Sequence, residues 1–443
     1  MVNIIPFNGY RFNTEKISDL GNVMAPPYET ISPSEQEALY KSDEYNIVRL
    51  NKGVVYESDN EVENCFTRAA KIMKEWIENQ ILVKEEKPAF YLYEQKVTYK
   101  STTYANLGIV GLLELQDLNS GNILQCEKHN KITKSARREL LENTRANFSM
   151  INCIYMEYEK ALMNTLNDIS EKNTPNMSFK THETVIGEDV TQRVWTITDS
   201  KTIDFIREVL KNHTFYIADG QTRYEVSLEY KKECEKNNPN HTGKEPYNYI
   251  MALFTNAFDD GLIQLPVHRL VKCKKRFSED FFVSLAQDYF KIEKIIVDTT
   301  SEEFVDTMKK QTATRIGNRF SVYCGGDYFY RLTLKESNIM EELLPENSEA
   351  YRNLDVTVLN SVILKELLNL SAEDINECVE YTTRSSYGRE AVKNGEFDCM
   401  IIVNPVRADQ ICKVAMAHER MPERSMFIFP KASTGIVVHK MEE

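Results

Sequence analysis

Residues 213–230 read HTFYIADGQTRYEVSLEY, and the change of character in the middle of that run decides the fold class. His213 to Ala218 is an apolar and aromatic run of the length of a buried strand. Asp219-Gly220 interrupts it, because glycine permits a tight turn. From Arg223 to about Glu235 the residues suit an amphipathic helix. A buried strand feeding directly into a helix marks an α/β protein. Such a helix start leaves backbone N–H groups without partners and so favours an anion, and Arg223 in the first turn adds a bidentate phosphate donor. Asp219 is placed to hold a metal ion or to accept a hydroxyl proton. The plainer reading is that it caps the helix.

Outward from this junction the pattern alternates. Ile4 to Phe7 and Asn22 to Ala25 read as strands, the second ending at Pro26-Pro27, so that Tyr28 and Glu29 project from a rigid loop. Ser32 to Tyr40 predicts a helix with Pro33 at its first position, and Asn46 to Leu50 a buried strand. A helix is expected over 58–80, capped by Ser58 and Glu61, with a core stripe of Val62, Phe66, Ala69, Met73 and Trp76. Ala89 to Leu115 alternates with period two and predicts a long hairpin turning near Lys100 to Thr103. A single strand is expected over Leu262 to Val271. At 443 residues the chain is too long for one core. The stretch KNNPNHTGKEP at 236–246 is the best linker, giving expected lobes of 1–240 and 247–443 and a mixed α/β (α+β) fold.

Composition excludes several classes. Lys plus Arg number 54 against 67 Asp plus Glu, a net charge of −13, with no basic run long enough to grip a phosphate backbone. Nucleic acid is therefore not an expected partner. Nine scattered cysteines show no C-x-x-C spacing and no zinc cluster, which suits reduced thiols. Neither a signal peptide nor a membrane span is legible, and the expected location is the cytoplasm. There is no P-loop, no G-x-G-x-x-G after a strand, no G-x-S-x-G and no H-E-x-x-H. His268 in LPVHRLV is a lone strand histidine, and Glu127 lies in a polar cluster at a strand end.

Taken in order, MAPPYETIS (24–32), NIVRL (46–50), LGIVGLLEL (107–115), CEK (126–128), ENTRANFSMINCIY (142–155), IADGQTRYEVSLEY (217–230), LPVHRLV (265–271) and MPERSMFIFPKASTGIVVH (421–439) span almost the whole chain. This series resembles the bacterial and archaeal family known as domain of unknown function 1015. The Asp-Gly-x-x-Arg motif resembles that of the ParB/sulfiredoxin-like fold, one branch of which comprises free serine kinases. The resemblance implies a phosphate-binding unit of that kind in the first lobe. It also implies phosphoryl transfer from ADP or ATP, with Mg²⁺, to free serine or a related hydroxy amino acid. By the same resemblance Gly220, Thr222, Arg223, His268 and Arg269 form the phosphate-binding set, and Asp219 sits near the metal or the substrate hydroxyl. Glu29 or Glu127 would accept the hydroxyl proton. Asn46, Arg49, Arg137 and Lys431 are the candidate substrate-binding residues.

The chain departs from that family at acid/base positions. Gln221 and Thr222 stand where two histidines are usual, and Cys126 where a histidine precedes Glu127. Ala136 replaces an aspartate before Arg137, Glu29 replaces an aspartate, and His129 replaces a threonine. The alternative function is accordingly a catalytically silent nucleotide- or phosphometabolite-binding regulator.

Overall fold

The computed structural model describes residues 2–118, 121–128, 134–183, 185–298, 301, 303–314, 316–336 and 338–442. It divides into two compact units, one of residues 1–125, 129–263 and 430–443, the other of 126–128 and 264–429. The stretch 236–246 lies inside the first.

The first unit is built on a mixed nine-stranded sheet. Its strands are β1 (Ile4–Ile5), β2 (Phe90–Tyr99), β3 (Thr102–Glu114), β4 (Ile123–Gln125), β5 (Ile151–Tyr155), β6 (Met177–Glu183), β7 (Glu188–Ile197), β8 (Phe215–Asp219) and β9 (Tyr249–Asn256). The spatial order is β4-β8-β5-β9-β3-β2-β7-β6, with β1 also on β3. Strand β8 runs parallel to β4 and antiparallel to β5, while β9 is parallel to β5. Alternation along a strand sends neighbours to opposite faces. Here both faces are covered: Phe90 and Leu92 enter one core, Tyr91 and Tyr93 the other. Along β9, Ile250, Ala252 and Phe254 separate from Met251 and Leu253 in the same way. A sheet buried on both sides reads as a continuous apolar run, as LGIVGLLEL does.

Helices α1 (Pro33–Ser42), α2 (Val48–Asn51), α3 (Cys65–Glu78), α4 (Lys134–Thr144), α5 (Ser200–Leu210) and α6 (Gln221–Asn237) belong to this unit. Helix α1 starts as expected, with Ser32 and Glu35 forming a capping box and Pro33 in the first turn. Three local expectations are corrected. NIVRL is not a strand; Asn46 accepts from the Val48 amide at 2.9 Å and opens α2. Asn22 to Ala25 is not a strand either, because Asp19 caps a one-turn helix over Leu20–Val23. Helix α3 starts at Cys65 under an Asn64–Thr67 capping box, not at Ser58, and Val62 is 78% exposed.

The second unit holds a six-stranded sheet of β10 (His268–Val271), β11 (Phe290–Ile296), β12 (Arg319–Tyr323), β13 (Tyr328–Leu334), β14 (Val379–Thr382) and β15 (Cys399–Ile402). Its order is β11-β13-β12-β15-β10-β14. The single strand expected over Leu262 to Val271 is two, Ile263–Leu265 and His268–Val271, with Pro266 between them. The fold class of the whole chain is mixed α/β. Among the described residues no helix is long and apolar enough to cross a membrane.

Candidate functional site

Strand β8 carries a register shift between Ile217 and Asp219, and Asp219 pairs with Asn152 of β5. Gly220 follows at φ +87°, in the left-handed region, and no side chain caps the helix start. Asp219 is therefore not the helix cap. A Cβ at Gly220 would lie 2.8 Å from Ile151 Cγ2 and 3.0 Å from Arg223 Cζ, so glycine also lets the guanidinium fold back over the turn.

The Asp219 carboxylate lies between two cations. Arg223 Nη2 donates to Oδ2 at 2.9 Å, and Lys431 Nζ pairs with Oδ1. Burial favours the neutral acid, but Lys431 and Arg223 outweigh it and hold the carboxyl below its ordinary value. Arg223 also donates through Nη1 to Ser149 Oγ at 3.1 Å and to the Met150 carbonyl, and Glu29 Oε1 is 3.6 Å from its Nη2. Burial works against the charge of Arg223, yet Glu29 and Asp219 more than restore it, so its pKa is raised.

Glu29 sits on the one-turn 3-10 helix Tyr28–Thr30 that follows the two prolines, with its side chain 41% exposed. The ammonium of Lys52 donates to the carbonyls of Tyr28 and Ile31 and so clamps that turn. Burial first, then the neighbouring charge of Arg137, lowers the Lys52 pKa. Arg137, from α4, stacks over the Tyr28 ring at 3.7 Å and donates to Asn51 Oδ1 and to the Asn51 carbonyl at 3.1 and 2.9 Å. Burial lowers its pKa as well. Lys52, Arg137, Arg223 and Lys431 thus each stand near Glu29 or Asp219, beside an uncapped helix start.

Thr222 is half-buried in the first turn of α6. Asn46 is fully buried, with Nδ2 donating to the carbonyls of Asn22 and Met24 at 2.8 and 2.9 Å. Arg49 donates to the Tyr40 carbonyl at 2.7 Å and stacks on that ring, packing α2 onto α1. Glu127, His268 and Arg269 belong to the second unit. There Glu127 accepts from the Ser425 amide and bridges Met421. His268 is fully buried, burial pushes its pKa down to about 3, and Nδ1 accepts from the Val403 amide at 3.3 Å. Arg269 is fully buried too, its guanidinium 4.6 Å from the Tyr381 ring centre, and burial brings its pKa down to about 10. His129 lies outside the described residues. Lys52, Asn51 and Ser149 were not read from the sequence, although the first two directly follow NIVRL and the third lies within ENTRANFSMINCIY.

The donor set does not fit a resident metal ion. Each Asp219 oxygen already engages a cation, and among the described residues no three His, Cys, Asp or Glu side chains converge on one point.

Fold and site together define a mixed α/β protein with a cationic pocket at a strand-to-helix turn. The chain belongs to the family described as Protein of unknown function (DUF1015), whose model matches residues 4–357. Solved structures similar to it include a free serine kinase variant in complex with ADP, at 8% identity, TM-score 0.33, covering 69% of this chain and 84% of that one. Another is a conserved hypothetical protein from Pyrococcus furiosus, at 9% identity, TM-score 0.31, with 69% and 87% covered. A third is SbnI with a C-terminal truncation from Staphylococcus aureus, at 10% identity, TM-score 0.33, with 73% and 84% covered. No curated protein matches the sequence.

Proposed function

We propose that this chain binds the phosphates of ADP or ATP at the start of α6 and transfers a phosphoryl group to the hydroxyl of free serine or a related hydroxy amino acid. One observation carries the reading: Arg223 and Lys431 hold Asp219 beside an uncapped helix start, and the half-exposed carboxylate of Glu29, near Arg137 and Lys52, is 3.6 Å from Arg223. The donor and acceptor classes follow from the motif's resemblance to free serine kinases.

The acceptor oxygen attacks the terminal phosphorus, its proton passes to Glu29, and the bond from phosphorus to the bridging oxygen breaks. The leaving nucleotide departs with the charge of that oxygen, which Arg223 and the first amides of α6 stabilise. Lys431 and Arg223 keep Asp219 ionised, so its role is to hold both cations in place. No step in this scheme runs through a metal.

The test is incubation with ADP or ATP and an amino-acid panel, with and without Mg²⁺, and detection of phosphoamino acid. Turnover lost in Glu29→Gln and in Asp219→Asn is the expected result. No product, together with no heat on nucleotide titration, would remove the idea.

A second reading has its own support. Gln221 and Thr222 occupy the turn where imidazoles are usual, and both Asp219 oxygens are tied to cations. A silent phosphate-binding regulator would show nucleotide-dependent thermal stabilisation without product.

A further inference from the structure

Beside Arg223 lies a narrow crevice lined by Asn51, Arg137, Ser149, Arg223 and Ser227 among apolar side chains of α4 and α6. Its space admits a few atoms, not a base or a ribose. Three of the lining side chains carry a buried N–H that meets no acceptor: Asn51 Nδ2, Arg137 Nε and Arg223 Nε. Asn51 is only 4% exposed, and its Oδ1 already accepts from Arg137 Nη1, which fixes the amide with Nδ2 as the open donor. Buried donors without partners are costly, and charged ones more so. Three in one crevice, two of them on guanidinium ions, call for a small acceptor-only group with negative charge.

We infer that this crevice is the subsite for the carboxylate of a small hydroxy amino acid, an assignment that rests on the phosphotransfer reading for the acceptor's identity. A planar carboxylate accepts from guanidinium and amide N–H groups. The placement is also right for chemistry. Arg223 is shared: Nε lacks a partner, while Nη2 is 3.6 Å from Glu29 Oε1. A carboxylate held at Nε would therefore lie on the same guanidinium whose Nη2 faces Glu29.

The experiment titrates the full chain with L-serine and with serinol, which keeps the amine and a hydroxyl but has no carboxylate, and separately with ADP. Serine is expected to bind at least about tenfold more tightly than serinol, the scale of a charge-assisted hydrogen bond. Asn51→Asp keeps the acceptor for Arg137 but opposes a carboxylate. It is expected to weaken serine about tenfold while ADP affinity changes less than about twofold. Equal binding of serine and serinol by the unaltered protein, or no serine binding where ADP binds normally, overturns the assignment and leaves the crevice to ordered water. The serine–serinol comparison needs no variant, so it decides even if Asn51→Asp fails to fold. Loss of ADP binding would instead count against the phosphotransfer reading.

Discussion

Burial alone would raise the pKa of Asp219, and Lys431 and Arg223 reverse that shift to below the ordinary 3.8. A depressed carboxylate contributes stability that is complete above its ordinary pKa and is lost as pH falls through the folded one. Asp219→Asn is thus expected to cost roughly 3 kcal/mol at neutral pH, since two cations lose their partner. The gap to the unaltered protein should close as pH drops below 3.8, and parallel curves in urea melts across that range would contradict the ion pair. Gly220→Ala meets both a left-handed φ of +87° and the Arg223 guanidinium. It should cost about 1–3 kcal/mol and weaken ADP binding in calorimetry. At this scale the sequence shows what is contiguous: Asp219, Gly220 and Arg223 lie in one run. Lys431 pairs with Asp219 across 212 positions, which no local pattern announces. The resemblance names Asn46 as substrate-binding, whereas its carboxamide serves the backbone around α2.

Among the elements, the hairpin β2–β3 was legible because both its faces are buried and its strands are long. Its turn is less favourable: Lys100 and Ser101 take φ of 50° and 63° without being glycine. Ser101→Gly should therefore raise stability by about 1 kcal/mol, read as a higher denaturation midpoint; an unchanged or lower midpoint would count against this turn geometry. Asn64→Ala, removing the acceptor for the Phe66 and Thr67 amides, should lower stability by about 1 kcal/mol, whereas Ser58→Ala should do nothing measurable. The start of α3 was misplaced because Ser58 and Glu61 match the capping spacing, and spacing alone does not reveal which candidate faces the first turn. Short apolar runs such as NIVRL fail for another reason. Five residues cover barely more than one helical turn, so the two periods are hard to tell apart.

For the molecule as a whole, the first unit is discontinuous in sequence and closes on its own far segment. Residues 430–443 bring Lys431 to Asp219, pair Thr434 with Ala25 and Val438 with Tyr10, and join His439–Lys440 to Ala146–Asn147. Ile436, Val437 and Val438 are buried in its core. Ending the chain after Phe429 removes three buried aliphatic side chains, about 5 kcal/mol or more, which rivals the stability of a typical domain. Hydrogen exchange at Leu92 and Ile109 should then accelerate and ADP binding vanish; protection equal to that of the full chain would show that the segment is dispensable. This return was not visible from composition, because the segment carries no pattern that names its partner strands.

That return also orders events during synthesis. A ribosome that has made Glu29, Asp219 and Arg223 must still translate residues 264–429 of the second unit before Lys431 emerges, so a nascent or prematurely released polypeptide carries an unfinished pocket with Asp219 short of one cation. Under the proposed function, competence would then arrive late and all at once, and incomplete copies would bind phosphate poorly.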